Sequence, residues 1–257
     1  EGIAAGGGTI SINVNDLGLA NNSFISTFTI TESSAGSINI VGDTLSLESG
    51  GKLITSTDGR GNAGTIDLSI AETIIIDNGE PPSVPKIEFE EPVLNELQNR
   101  TGLFVNATER AVGNGGDIFI QGMSSLPTND LQILNGAEVS ADGAFEGNAG
   151  NIFIFAESME VSNGASLVAK TFSENGGNIN LTVDRTITLN RNSLISAEAS
   201  GVGNGGNVDI NAEFIIAFGA SGNGSDIVAL AAAEGMGGNI NISTDAFLGL
   251  QARNAAP

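Results

Sequence analysis

Apolar and polar residues alternate with a period of two in short runs along this chain, and the runs themselves recur. Two small residues, often both glycine, precede a polar residue and then apolar-x-apolar. The phrase stands as Gly7-Gly8-Thr9-Ile10-Ser11-Ile12, Ala35-Gly36-Ser37-Ile38-Asn39-Ile40, Ala63-Gly64-Thr65-Ile66-Asp67-Leu68 and Gly115-Gly116-Asp117-Ile118-Phe119-Ile120. It returns as Ala149-Gly150-Asn151-Ile152-Phe153-Ile154, Gly176-Gly177-Asn178-Ile179-Asn180-Leu181, Gly205-Gly206-Asn207-Val208-Asp209-Ile210 and Gly237-Gly238-Asn239-Ile240-Asn241-Ile242. Its second residue falls at positions 8, 36, 64, 116, 150, 177, 206 and 238, so most copies lie close to 28 residues apart. A fixed period in that range is the mark of a solenoid.

Each period holds three β signals. The second copy runs Ile38/Ile40, Leu45/Leu47, Leu53/Thr55; the fifth runs Ile152/Ile154, Met159/Val161, Leu167/Ala169; the sixth runs Ile179/Leu181, Ile187/Leu189, Leu194/Ser196. Period-two alternation puts the members of each pair on one face. Breakers such as Gly50-Gly51, Asn163-Gly164 and Arg191-Asn192 separate the strands. Three strands and three corners per period describe one turn of a triangular parallel β-helix, and the lack of helical crossovers excludes a βαβ sheet. The reading is an all-β chain, a single solenoid of about eight coils over residues 1–257, roughly 35–40 Å long at the ~4.8 Å spacing of stacked strands.

Stacking then predicts columns. One runs inward through Ile10, Ile38, Ile66, Ile118, Ile152, Ile179, Val208 and Ile240, and a second lies two residues further on. The third face narrows at Thr55, Ala141, Ala169, Ser196 and Ala229. Glycines supply positive φ at a corner. Asn151, Asn178, Asn207 and Asn239 occupy one corner position and are read as a structural amide ladder rather than a binding stripe.

Two places break the period. Residues 80–100 form an insertion of about 20 residues with Pro81, Pro82 and Pro85, acids, and a possible helical turn from Pro92; strand three resumes at Leu103-Phe104-Val105. The segment reads first as a tolerated surface loop. It is also the candidate partner-binding element, through Glu80, Pro85, Glu88, Phe89, Glu90, Glu91, Leu94 and Leu97. Residues 121–130 form a smaller insertion in the next coil.

Composition narrows the chemistry. Lys plus Arg total 9 against 30 Asp plus Glu, a formal charge of -21. Nine scattered cations make no basic face for nucleic acid. With no Cys or His, zinc fingers, thiol nucleophiles and His-based triads are excluded. No stretch approaches the ~20 apolar residues of a membrane span, and no signal peptide is visible, so membrane insertion is not expected and the chain reads as a fragment of something longer. The glycine phrases open strands rather than helices and lack a P-loop Lys, which removes phosphate cradling. No cofactor is expected beyond weak, non-specific divalent-cation binding by the acidic surface. Outward acids on the first face are the remaining catalytic candidates. Asp67 and Asp117 on adjacent coils would sit ~4.8 Å apart, near the separation of a retaining glycosidase pair. Outward Phe119, Phe153 and Phe155 form an apolar stripe, either a contact for sugar or protein or a surface under the neighbouring insertion.

The phrases GNAGNIFI, GNGGNVDI and GMGGNINIS, with the run FIIAFGASGNGSDIVALAAAEGMGGNINISTDAFLGL, resemble the repeat region of filamentous-haemagglutinin-like exoproteins, above all the large cyanobacterial members of two-partner secretion. The resemblance covers essentially the whole chain. It implies a right-handed parallel β-helix, exported to the outer surface of a Gram-negative-type bacterium, with adhesin activity and no catalytic residue in the repeats. The family's NPNG-type and NPNL-type secretion motifs do not occur here, which places the chain downstream of that domain. The expected function is therefore a non-enzymatic extracellular structural or adhesive stalk. Its expected partners are neighbouring domains of the same longer chain, a cell-surface glycan or protein, or copies stacked end to end. The alternative is a polysaccharide-binding or polysaccharide-degrading β-helix acting through outward acids.

Overall fold

The computed structural model describes residues 7–79, 97–108, 110–144, 146–172, 174–218, 224–232 and 235–249. They form an all-β solenoid of about eight turns in which every paired strand is parallel. One sheet contains ten strands and the other seven. Six coils contribute one bent strand each to the larger sheet and the first and fourth contribute a pair; among the described residues the first seven coils each add one short strand to the smaller sheet. The one helical element among the described residues is a 3-10 turn at Met123–Ser125.

In most coils the first and second strands are one element, not two; in the first and fourth coils they stay separate, as Ile10–Asn13 with Asp16–Leu19 and Ile118–Gln121 with Thr128–Leu134. Ile38–Glu48, Ile66–Asp77, Ile152–Ser162, Ile179–Asn190 and Val208–Phe218 run unbroken across the first corner. Register shifts between Gly42/Thr44, Ala156/Ser158 and Val183/Thr186 absorb the bend. A β-bulge of this kind turns the strand without ending it. Face one and face two below are the halves of that bent strand; face three is the seven-stranded sheet.

The inward columns form as the alternation predicts. Ile10 pairs with Ile38, and the column continues through Ile66, Ile118, Ile152, Ile179 and Val208 to Ile240. From Ile38 to Val208 its members are fully buried, each contributing roughly 1.5–3 kcal/mol by burial. On face three the chain continues in register across the insertion, since Leu53, Ile54 and Thr55 pair with Leu103, Phe104 and Val105. In the sixth coil, however, Ile195 and not Leu194 points inward. Ile195 pairs with Leu167 and Ile227, and Ala197 rather than Ser196 fills the narrow end of the core.

The turn from face two to face three is made by two left-handed residues: Ser49-Gly50, Asn135-Gly136, Asn163-Gly164 and Arg191-Asn192. The glycines that open each repeat have another cause. Gly36, Gly64, Gly116, Gly150, Gly177, Gly206 and Gly238 have no positive φ. A Cβ on any of them would lie 1.7–1.9 Å from the carbonyl oxygen of the matching glycine one coil earlier. They are required by close approach of stacked backbones, which corrects the expectation of positive φ at this corner.

The smaller insertion is shorter than expected. Gln121 ends the face-one strand and Thr128–Asp130 already belong to the face-two strand, so only Gly122–Pro127 leave the coil.

Candidate functional site

The corner asparagines form the predicted ladder. Asn178 donates from its backbone N–H and from Nδ2 to Asn151 Oδ1 at 3.0 and 3.1 Å. Asn207 bonds Asn178 in the same way, and Asn239 bonds Asn207. At the base, Asp117 accepts both bonds from Asn151, at 2.8 and 2.9 Å. An acid suits that rung because Thr65 lies below it and presents no amide oxygen to a carboxylate. A second ladder was not expected: Asn62, Asn114, Asn148 and Asn175 stack through the same backbone and amide bonds, from 2.8 to 3.3 Å, and Asn204 joins Asn175 through its backbone N–H at 3.1 Å. Its signal was the asparagine before each Gly-Gly or Ala-Gly pair from Asn62 to Asn204. In both ladders the side-chain oxygens are taken by donors of the next coil, which favours stacking over a ligand.

Of the insertion candidates, Glu80, Pro85, Glu88, Phe89, Glu90, Glu91 and Leu94 lie outside the described residues. Leu97 is inside them and is buried against Ile54 and Phe104, with Phe24 and Phe28 beside it. These residues point outward from face three, so the end of the insertion seals an apolar patch on the outside of the coils. Asn99 fixes it there: its backbone N–H donates to Asn22 Oδ1 and its Oδ1 accepts from Asn22 Nδ2, both at 3.1 Å. Arg100 pairs with Glu138 and lies 5.1 Å from the centre of the Phe104 ring. Lys52 is nearly completely buried on the same side, and desolvation pushes its ammonium down to about 8.

The expected carboxylate pair is not assembled. Asp67 follows Ile66 in its strand and therefore stacks on Phe119, whereas Asp117 precedes Ile118 and belongs to the corner ladder. Asp209 stacks between Asn180 and Asn241 and accepts from Asn241 Nδ2 at 2.6 Å. Asp67 Oδ1 is buried without a hydrogen-bond partner among the described residues, and burial pushes its carboxyl above the usual range. The most perturbed acid is elsewhere. Asp142, at the end of face three, is pushed up to about 6 by burial and then by the charge of Glu138, against a backbone hydrogen bond from Lys170 at 3.1 Å. Among the described residues no three acids are grouped so as to hold a metal ion.

Face one carries the open concavities. Phe119 and Phe153 stack with ring centres 4.9 Å apart and planes 6° from parallel. With Phe155, Gln121, Asn180 and Thr182 they line a shallow cleft of about 290 Å³. A second cleft, of about 300 Å³, adjoins it along the solenoid axis, lined by Asp209, Asn211, Asn241 and Ser243. The two share Asn180 and Thr182. No residue of the 122–127 excursion lines either cleft, so the stripe is open and not covered by that insertion. Among the described residues no helix is long and apolar enough to cross a membrane. Comparison with known proteins returned no match for this chain, whether against family models, curated proteins or solved structures.

Proposed function

We propose that the chain is a non-enzymatic, extracellular structural and adhesive stalk, a stretch of a secreted or surface-displayed exoprotein of the filamentous-haemagglutinin-like kind. One observation carries this reading: the inward columns and the two asparagine ladders pass from coil to coil along most of the described length. A solenoid bonded in this way resists bending, because tilting one coil against the next breaks backbone, amide and packing contacts together. The acidic surface keeps such rods apart in solution. Neighbouring domains of the same longer chain are the natural continuation of its open strand edges, and end-to-end stacking of copies is the alternative cover.

The assembled polar groups favour scaffold over chemistry. The two acids proposed as a hydrolytic pair occupy different columns, and the ladder oxygens accept from the next coil. The test is surface labelling of intact producing cells with an antibody to residues 1–257, beside limited proteolysis of the purified chain. Labelling without permeabilisation, and paired coils that survive protease as one protected body, are the expected results. Labelling only after lysis would overturn the extracellular reading.

A further inference from the structure

We propose that face one carries a groove for a neutral, linear polysaccharide, lying along the solenoid axis over coils four to eight. The proposal rests on the stalk reading and supplies its ligand class. Outward side chains on this face form two parallel columns. One passes through Phe119, Phe153, Asn180, Asp209 and Asn241; the other through Gln121, Phe155, Thr182, Asn211 and Ser243. Within a strand the columns stand two residues apart, roughly 6.6 Å, and successive coils repeat them every ~4.8 Å. The two adjoining clefts lie in this trough, which therefore spans four coil spacings, or roughly 19 Å. A straight trough with a short, regular repeat suits a polymer in extended form rather than a compact ligand.

Its chemistry selects the polymer. One end offers Phe155 and the stacked Phe119–Phe153 pair, an apolar patch suited to the C–H face of a pyranose ring. The other end offers amides, hydroxyls and one carboxylate, which between them donate to and accept from sugar hydroxyls. No described residue in either column is Lys or Arg, and the acids Asp67 and Asp209 stand on this face, so an anionic glycan is disfavoured. A peptide is a poor occupant. In coils four to seven the backbone N–H and C=O groups are spent in the parallel ladders on both sides, so along that stretch the face offers side chains and no strand edge.

The test is calorimetric titration of the 257-residue chain with cellohexaose and mannohexaose, beside hexagalacturonate, followed by 15N chemical-shift mapping. We expect saturable binding of a neutral hexasaccharide, weaker or no binding of hexagalacturonate, and shifts confined to face one. Phe153→Ala and the solvent-exposed change Asn211→Ala should each weaken binding tenfold or more, while Thr188→Ala on face two leaves it unchanged; thermal unfolding checks that each variant is folded. No saturation by either neutral sugar, preference for the acidic one, or binding indifferent to both face-one changes would overturn the groove. Those results leave the stalk reading standing, since surface labelling tests it separately. Shortening of the hexasaccharide during the titration would instead confirm the groove and overturn the non-enzymatic reading.

Discussion

Replacing Gly177 by Ala tests why the repeat opens on glycine. The added Cβ would lie 1.7 Å from the Gly150 carbonyl oxygen, and real contacts of this kind do not fall below 3.0 Å. The corner must therefore open by at least about 1.3 Å. Three bonds cross this joint: Ile152 N–H to the Asn178 carbonyl at 2.9 Å, and the two from Asn178 to Asn151 Oδ1 at 3.0 and 3.1 Å. Stretched by that amount they pass beyond hydrogen-bonding range. At about 1 kcal/mol each, with an overpacking cost of ~1–3 kcal/mol, the loss is about 4–6 kcal/mol. Two other glycines serve as controls. Gly164 has φ +78° with no neighbour within 4 Å of a Cβ, so Ala there costs only left-handed strain, about 1 kcal/mol. Gly8 has neither constraint, and Ala there should fall within about 0.5 kcal/mol of wild type. Urea unfolding followed by circular dichroism gives the ranking. If Gly164→Ala proves more damaging than Gly177→Ala, backbone conformation rather than coil spacing is what these glycines serve, and the argument fails.

Further outcomes follow from the polar groups. Asn178→Asp should destabilise by about 2–3 kcal/mol at neutral pH, because a carboxylate oxygen would face Asn151 Oδ1 and an amide donor is lost, as urea unfolding would measure. Asp142 titrates at about 6 against an ordinary 3.8, so the folded chain holds the extra proton between those values and this group's contribution to stability falls as pH rises through that window. Asp142→Asn should raise the melting temperature at pH 7 and flatten its slope between pH 4 and 6. Lys52, lowered to about 8, works in the other direction on the alkaline side, adding stability as pH rises from about 8 towards the ordinary 10.5. Lys52→Met should raise the melting temperature at pH 7 and remove that rise; an unchanged profile would mean the ammonium is not desolvated in solution.

The columns were legible in the residues because two periods coincide: alternation sets which side chains point inward, and the repeat sets which of them stack. Where either period is ambiguous, the reading slipped. In the sixth coil Leu194/Ser196 and Ile195/Ala197 are both apolar-then-small pairs, and only strand pairing chooses the second. The Asp67–Asp117 pairing failed for a related reason, since the two acids flank their isoleucines on opposite sides and a two-residue offset separates a face from a corner. The merger of strands one and two was hidden because a bulge needs no breaker residue. The closeness of stacked glycine backbones is a property of two coils together, so no single repeat displays it. The second asparagine ladder was visible as a recurring letter, but its meaning depended on knowing which corner it occupied. The floor of the face-one groove was half visible. The phenylalanines stood out, while the amides beyond them were lost among many asparagines.

The turns also decide how the molecule ages. An asparagine followed by glycine loses ammonia when the glycine nitrogen attacks the side-chain carbonyl carbon, and the cyclic imide left behind hydrolyses to aspartate or isoaspartate. In the ladder pairs that nitrogen is occupied: Gly115, Gly176 and Gly205 each donate to a carbonyl of the following coil at 2.9 Å. Gly164 does the same towards Arg191 at 2.9 Å. Gly136 donates no hydrogen bond among the described residues, and the Asn135-Gly136 turn stands exposed. Gly79 donates to Asp77 Oδ1 at 2.8 Å. Among the described Asn-Gly pairs, Asn135-Gly136 is therefore the one whose glycine nitrogen stands ready to attack, and each event there would add a negative charge and remove the Asn135 Nδ2 hydrogen bond to Asp77, while leaving the two corner ladders in place.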